Sequence, residues 1–456
     1  MAQISTIQLS DIKNAHRFDA EYFKPEYLEI ERNLNIKNSL ELEKLLQKNI
    51  ICGPFGSAIL TSDYKEKWLP LLRVLNLHNF FLDTTDLKYI SYEKSNNLSR
   101  YFVKQWDIVV SQRWSVAEFS LIEDEWNYII SANLISIKNN NSLNFHYLIT
   151  FLNSKYWKKQ LEKKITWQVQ EKITTIDIKT LKIPLLPESF QLEIEKIVKE
   201  AYEKQKLSKK LYKEAEQILL EELDLVDYKP KHKLIFETSA KEIEQAHRFD
   251  AEFFQPKYKD IIEKIESYEG GFDIVKNIFD WKKWIEVWTN AYSEKWKNFV
   301  RVSDFSKYWI ENVSRKISEE YFEKIKDDYQ AKKWEILFTK DWTIGITYLL
   351  ENDIDWVLSS AFLRLILKEK YENYKKECFT LILNSILSKL QVKQLSGWAI
   401  IAHLKPSDFE KFKIPLLKSE IQEKIAEKVN LSHKLRKESK DLLEEAKRRV
   451  EEEIEK

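Results

Sequence analysis

The chain has 456 residues, 43% hydrophobic and 32% charged, with a formal net charge of +1 at pH 7; this supplies cores for two to three domains and excludes a disordered chain. The near-zero charge also excludes a globally polybasic binder of nucleic acid or membrane, so any such partner is met by local patches. The only two cysteines, Cys52 and Cys378, give no disulfide framework or zinc site, no apolar run nears the roughly 18 residues of a membrane span, and "MAQISTIQLSDIKNAHRFD" lacks a signal-peptide core, so a cytoplasmic, soluble protein in a reducing compartment is expected.

In chain order, "AHRFDAEYF" (15–23) reads as a short helix or turn around Pro25. The β-rich runs "PLLRVLNL" (70–77), "DIVVSQ" (107–112) and "YIISANLISI" follow, whose alternation and β-branched content predict strands. A helical stretch, "FHYLITFLNSKYWKKQLEKKI", leads to "LKIPLL" (181–186) and a long charged segment over 188–223. "LDLVDYKPKHK" (223–233) then links to a second pass through the same plan. "AHRFDAEFF" stands at 246–254 around Pro256, "NFVRVSDF" at 298–305 answers "PLLRVLNL", and "KWEILFTKDWTIGIT" at 333–347 answers "QWDIVVSQRWSVAEF". The helical "CFTLILNSILSKLQVKQL", then "FKIPLL" (412–417) and a charged segment over 419–454, close the second pass.

His16 and His247 are 231 residues apart, and so are Pro184 and Pro415. A period of that size is far longer than a solenoid repeat, so the chain is two copies of one domain-sized module. The expected division is 1–187 for the first module with its N-terminal segment, 188–224 for a first long helix, 225–240 for a linker, 241–418 for the second module and 419–456 for a second long helix. In the closing segments Phe190, Ile194, Val198, Leu211, Ala215 and Leu219 match Ile421, Ile425, Val429, Leu442, Ala446 and Val450. Steps of three and four place each set on one helical stripe. A rod of about 50 Å with one apolar stripe needs a partner. Antiparallel pairing of the two rods is predicted; coverage of each module by its own helix is the alternative.

Enzymatic readings lack their motifs. No two prolines are adjacent, so the (Asn/Asp)-Pro-Pro-(Tyr/Phe) loop of an amino-methyltransferase is missing, and six glycines form neither a phosphate loop nor a dinucleotide fingerprint. No His-Glu-x-x-His or Cys/His metal spacing occurs. His16 and His247, tempting as a catalytic pair, recur in the most repeated segment and read better as part of a shared interface.

Two modules, each followed by a long helix, opened by "AHRFDAEYF…KPEY" and "AHRFDAEFF…QPKY" and closed by "IPLLPESFQLEI" and "IPLLKSEIQEKI", resemble the DNA specificity subunit of type I restriction-modification systems over nearly the whole chain. "GPFGSAI" and "ILFTKDWTIG" are similar to segments of that family's target recognition domains. The resemblance implies an α+β fold with two pseudo-twofold related target recognition domains joined by two long antiparallel coiled-coil helices. It implies a non-catalytic chain that reads a bipartite, asymmetric site in double-stranded DNA and holds two methyltransferase subunits, with nuclease or translocase subunits in complete systems. No cofactor is expected in this chain; S-adenosylmethionine belongs to the partner methyltransferase. Two readers at fixed separation meet half-sites about one helical turn apart. The alternatives are a duplicated coiled-coil scaffold without DNA contact, and a specificity subunit of a related system that cuts beside its site.

Base reading uses short polar, planar or bidentate side chains on exposed loops. The candidates are Ser57, Arg73, Asn76, Gln112, Arg113, Gln168 and Gln170 in the first module, and Asn290, Tyr292, Arg301, Ser303, Lys340, Asp341 and His403 in the second. Arg73 and Arg301 are expected in matching strands, with a salt bridge as the bland alternative, and Gln112 and Arg113 at a hairpin tip.

Six glycines stand against roughly 32 expected for this length, and 15 tryptophans occupy several places where small turn residues belong. Trp106 answers Trp334, Trp114 answers Trp342, Trp167 answers Trp398, and Gly56 answers Trp288. Aromatic platforms or core packing are one reading. The preferred one is that the source reads UGA as glycine. Glycine at every tryptophan still creates no phosphate-loop motif.

Overall fold

A computed structural model describes the chain except residues 1–3, 47–48, 114–116, 166–171, 283–286, 288–290, 294–295, 308–312, 314 and 397–402. It forms two compact units, Met1–Lys206 with Leu435–Lys456, and Leu207–Lys434.

In the first unit the helix Pro25–Ile36 begins at the proline two residues after the repeated nonapeptide, where a fixed φ and a missing N–H suit the first helical turn. One five-stranded sheet has the order Ile50–Cys52, Leu134–Ile137, Ile108–Ser111, Phe119–Leu121, Phe80–Phe81. Another runs Tyr64–Lys65, Lys88–Ile90, Leu69–Leu72, Tyr128–Ile130, Phe102–Val103. The run "YIISANLISI" thus splits at Ser131–Asn133, its halves serving different sheets. The expected single helix is two, Phe145–Phe151 and Lys155–Ile165. The break falls at Asn153 and Ser154, whose side chains donate to the carbonyls of Ile149 and Phe151 and draw them from the helical ladder.

The second unit repeats the plan, with four strands in each of its two larger sheets among the described residues. Phe279–Lys282, Phe362–Leu367, Ile336–Thr339 and Thr347–Leu349 form one, and Tyr292–Ser293, Lys316–Ile317, Lys297–Val300 and Val357–Leu358 the other. Its helices Lys376–Asn384 and Ile386–Ser396 break at the equivalent Asn384 and Ser385.

Each unit is closed by its "KIP" strand. Lys182–Pro184 pairs antiparallel with Ser39–Glu41, and Lys413–Pro415 with Phe272–Ile274. The Gln160 amide accepts from Lys182 N at 2.8 Å and donates to Lys182 O at 3.1 Å. Gln391 does the same to Lys413, at 2.8 and 3.0 Å. A buried amide that satisfies both backbone groups of a strand end fixes where the module closes.

The long helices are Glu188–Glu222 and Ser419–Glu455. Each begins in one unit and ends in the other. Within the first unit Arg449 pairs with Glu193 at 2.8 Å, Ser439 donates to Ala201 O at 2.6 Å, and Lys204 pairs with Glu438 at 2.7 Å. Within the second, Ser432 meets Ser208 and Lys428 pairs with Glu214 at 2.6 Å. Partner numbers fall as the others rise, so the helices run antiparallel. Ile194, Val198, Ala446 and Val450 are buried in the first unit's core, and Ala215, Leu219, Ile425 and Val429 in the second's. Tyr212, rather than Leu211, takes the fully buried place on that stripe.

Candidate nucleic-acid interface

The best matched elements near the candidate readers are two 3-10 turns. Arg73 directly follows the strand Leu69–Leu72 and caps Val74–Asn76; Arg301 directly follows Lys297–Val300 and caps Val302–Asp304. Both therefore stand one residue beyond the strands in which they were expected. Asn76 Oδ1 accepts from Arg73 N at 3.0 Å, and Asp304 Oδ2 from Arg301 N at 2.9 Å. The strand below each arginine pairs parallel with a strand from far along the chain, Tyr128–Ile130 or Val357–Leu358.

The two guanidinium groups are held differently. Arg73 Nη2 donates to the carboxylate of Asp86 at 3.0 Å and to its carbonyl at 2.9 Å. Hydrogen bonds from Arg73 and Lys88 keep the Asp86 carboxyl below its ordinary range. Arg301 lies 3.6 Å from Asp304, a looser pair, and its side chain is more exposed. Asn76 is corrected as a loop reader: it is buried, and its amide is spent on the carbonyls of Asp83 and Asp86 at 3.1 and 3.2 Å.

Gln112 is corrected likewise. It is 3% exposed and donates to Cys52 Sγ at 2.7 Å. Its neighbour Arg113 is exposed, and its backbone forms an antiparallel β-bridge with that of Lys172. In the second unit Lys340 is also buried, contrary to expectation, with Nζ 2.6 Å from Asp341 Oδ2. Asp341 also receives His403, which is exposed. The backbone joins the same segments, Leu404 N donating to Lys340 O at 2.8 Å. Lys340, Asp341 and His403 thus form one group although 62 residues separate the last two.

Ser57 is exposed in the turn Gly56–Ala58 beside Phe55, which is 88% exposed. Ser303 is exposed and donates to Asp304 at 3.1 Å. Tyr292 is half-buried, 5.8 Å from Phe299, with Arg315 5.6 Å from its ring. Gln168, Gln170 and Asn290 lie outside the described residues. Phe55 is a candidate the sequence reading passed over, although "GPFGSAI" contains it.

The repeated nonapeptides have one geometry. His16 and His247 both have φ 49°, ending the helices Leu9–Ala15 and Ala240–Ala246 in the left-handed region. Arg17 pairs with Asp19 and Arg248 with Asp250, each at 2.6 Å. Those carboxylates accept from Tyr22 N and Phe253 N, each at 3.1 Å. His16, Phe18 and Ala20 project outward, as do His247, Phe249 and Ala251. Among the described residues no group of three or more His, Cys, Asp or Glu could hold a metal ion, and no helix is long and apolar enough to cross a membrane.

Residues 238–445 match the family described as the type I restriction modification DNA specificity domain. Among solved structures, the type I restriction-modification S subunit from M. genitalium is 13% identical with a TM-score of 0.39, covering 91% of this chain and 95% of that one. The HsdS subunit from Thermoanaerobacter tengcongensis is 14% identical with a TM-score of 0.28, covering 88% of this chain and 95% of that one. No curated protein matches the chain.

Proposed function

We propose, from the match of residues 238–445 to the type I restriction modification DNA specificity domain, that the whole chain is the DNA-reading subunit of such a system, with one reader in each unit. The observation that carries this beyond the matched half is the repetition of the module itself. The matched arginine turns and the amide clamps of Gln160 and Gln391 recur in the first unit and the second. Two readers that differ in their exposed polar groups recognise two different half-sites, so the complete site is split and asymmetric.

In this reading Ser57, Arg73 and Arg113 serve one half-site, and Tyr292, Arg301, Ser303, Asp341 and His403 the other. Lys340 and Gln112 act from behind, as buried supports for Asp341 and Arg113. The chain contributes recognition only. Two methyltransferase subunits bring S-adenosylmethionine and the chemistry, and the near-neutral charge of this chain fits a reader whose affinity for DNA comes largely with its partners.

Sequencing of methylated bases in the DNA of cells that carry this chain with its methyltransferase partner tests the proposal. The expected result is one motif of two dissimilar parts separated by a fixed gap. An uninterrupted motif, or a palindrome, overturns it.

A further inference from the structure

Nine tryptophans lie among the described residues, and five have a backbone that tryptophan almost never adopts. The φ angles are 126° at Trp68, 70° at Trp106, 97° at Trp296, 70° at Trp334 and 65° at Trp342. In the left-handed region Cβ crowds the neighbouring carbonyl oxygen; glycine escapes this, and asparagine, aspartate and histidine tolerate it by local hydrogen bonding. Indole has no such compensation. At Trp68 and Trp296 the angle lies well beyond the left-handed well near about +57°.

The positions are paired between the modules. Trp68 directly precedes Leu69–Leu72, and Trp296 directly precedes Lys297–Val300, the strands that lead to Arg73 and Arg301. Trp106 N donates to Ile122 O at 2.7 Å, and Trp334 N to Leu350 O at 2.7 Å, so the same turn is built twice. Two of the chain's own glycines do the same work, Gly271 at φ 74° and Gly345 at φ 90°. Three of the indoles are largely uncovered: Trp296 and Trp342 are 63% and 67% exposed, and Trp68 is 60% exposed even with Tyr92 edge-on at 5.8 Å. A stacking platform needs an exposed ring, but it does not need a left-handed backbone. Trp157 differs in every respect. It is 7% exposed, packs edge-on against Phe119 at 4.8 Å, and lies in a helix.

We infer that the native protein carries glycine at 68, 106, 296, 334 and 342, because its source cell reads UGA as glycine, and that Trp157 is a true tryptophan encoded by UGG. Trp68 and Trp296 enter on their backbone alone, since their sequence context gives no turn signal. Trp114, Trp167, Trp288 and Trp398 lie outside the described residues. This inference stands apart from the DNA-reading proposal. It does alter the surface around the candidate readers, since a glycine beside Lys340 and Asp341 lets the main chain approach a ligand where an indole would hold it away.

Peptide mass spectrometry of the protein from its own cells decides the matter. The tryptic segments 105–113 and 334–340 should carry glycine at 106 and 334, and the gene should have UGA at all five positions with UGG at 157. Tryptophan in those peptides, or UGG at the five positions, overturns the inference. As a second measurement, a recombinant chain with all five changed to glycine should melt at a higher temperature than the chain with tryptophan. A lower melting temperature also counts against it.

Discussion

Ser432 donates its hydroxyl to the carbonyl of Ser208 at 2.8 Å, and both residues are fully buried where the two long helices meet in the second unit. Their counterparts one repeat away are Ala201 and Ser439, joined in the first unit by a hydroxyl-to-carbonyl bond of 2.6 Å. Small side chains let the helices approach at both places. Ser432→Leu should overpack this contact and lower stability by about 1–3 kcal/mol, read as a fall in the urea midpoint. Ser432→Ala should cost much less, and an equal loss from the two would show that packing is not the cause.

Phe18 and Phe249 are 86% and 90% exposed, yet identical in position and setting. In the helices just before them, exposed positions vary freely: Leu9, Ser10 and Lys13 answer Ala240, Lys241 and Glu244. Constancy at an exposed aromatic fits a surface that meets the same partner twice. Phe18→Ala with Phe249→Ala should leave the melting temperature within the small range of surface changes. If the chain holds two methyltransferase subunits, as proposed, native mass spectrometry should find none on the double variant and one on each single variant. Full assembly of the double variant would contradict this.

Asp273 is the clearest source of acid sensitivity. Burial works to raise its pKa, but hydrogen bonds from Tyr371, Asn277, Ile274 N and Lys370 outweigh this and hold it at about 2. A folded value below the unfolded one gives stability that is complete above about pH 4 and is lost as pH falls through 2. Asp273→Asn should therefore cost on the order of 2 kcal/mol at pH 7 and approach no cost near pH 2. Denaturant midpoints for both chains across pH 2–7 would show the two curves converging; a constant offset would refute the linkage.

Arg113 is exposed, and Arg301 caps the matching turn of the second unit. Arg113→Ala should relax selection in one half-site, and Arg301→Ala in the other, each by about 1–3 kcal/mol for a bidentate contact. Competition binding by the complex to oligonucleotides altered in one half at a time measures this. Either change acting on both halves would remove the one-reader-per-unit assignment.

The duplication, the long helices and their direction were legible because each rests on a pattern carried along the sequence: a 231-residue repeat and a 3.6-residue stripe. The burial of Gln112 and Lys340 was not. Each is a polar residue after a β-rich run, which resembles a turn until partners from elsewhere arrive: Cys52 lies 60 residues before Gln112, and Leu404 donates to the backbone of Lys340 from the far end of the module. The clamps of Gln160 and Gln391 were visible as repeated residues, but a glutamine in a charged helix reads as solvated unless its strand partner is known. Asn76 misled for a related reason, since the short side chain that suits a base edge equally suits a turn.

The left-handed backbone at residue 68 bears on which cells can use the gene. If its codon is UGA, a ribosome that treats that triplet as a stop would release the chain after Lys67, ahead of the strand Leu69–Leu72 and every residue of the second module. A neighbour that acquired the gene would inherit a fragment and no new DNA specificity. The system would then be private to organisms sharing its dialect, confined by translation before any question of compatible subunits arose.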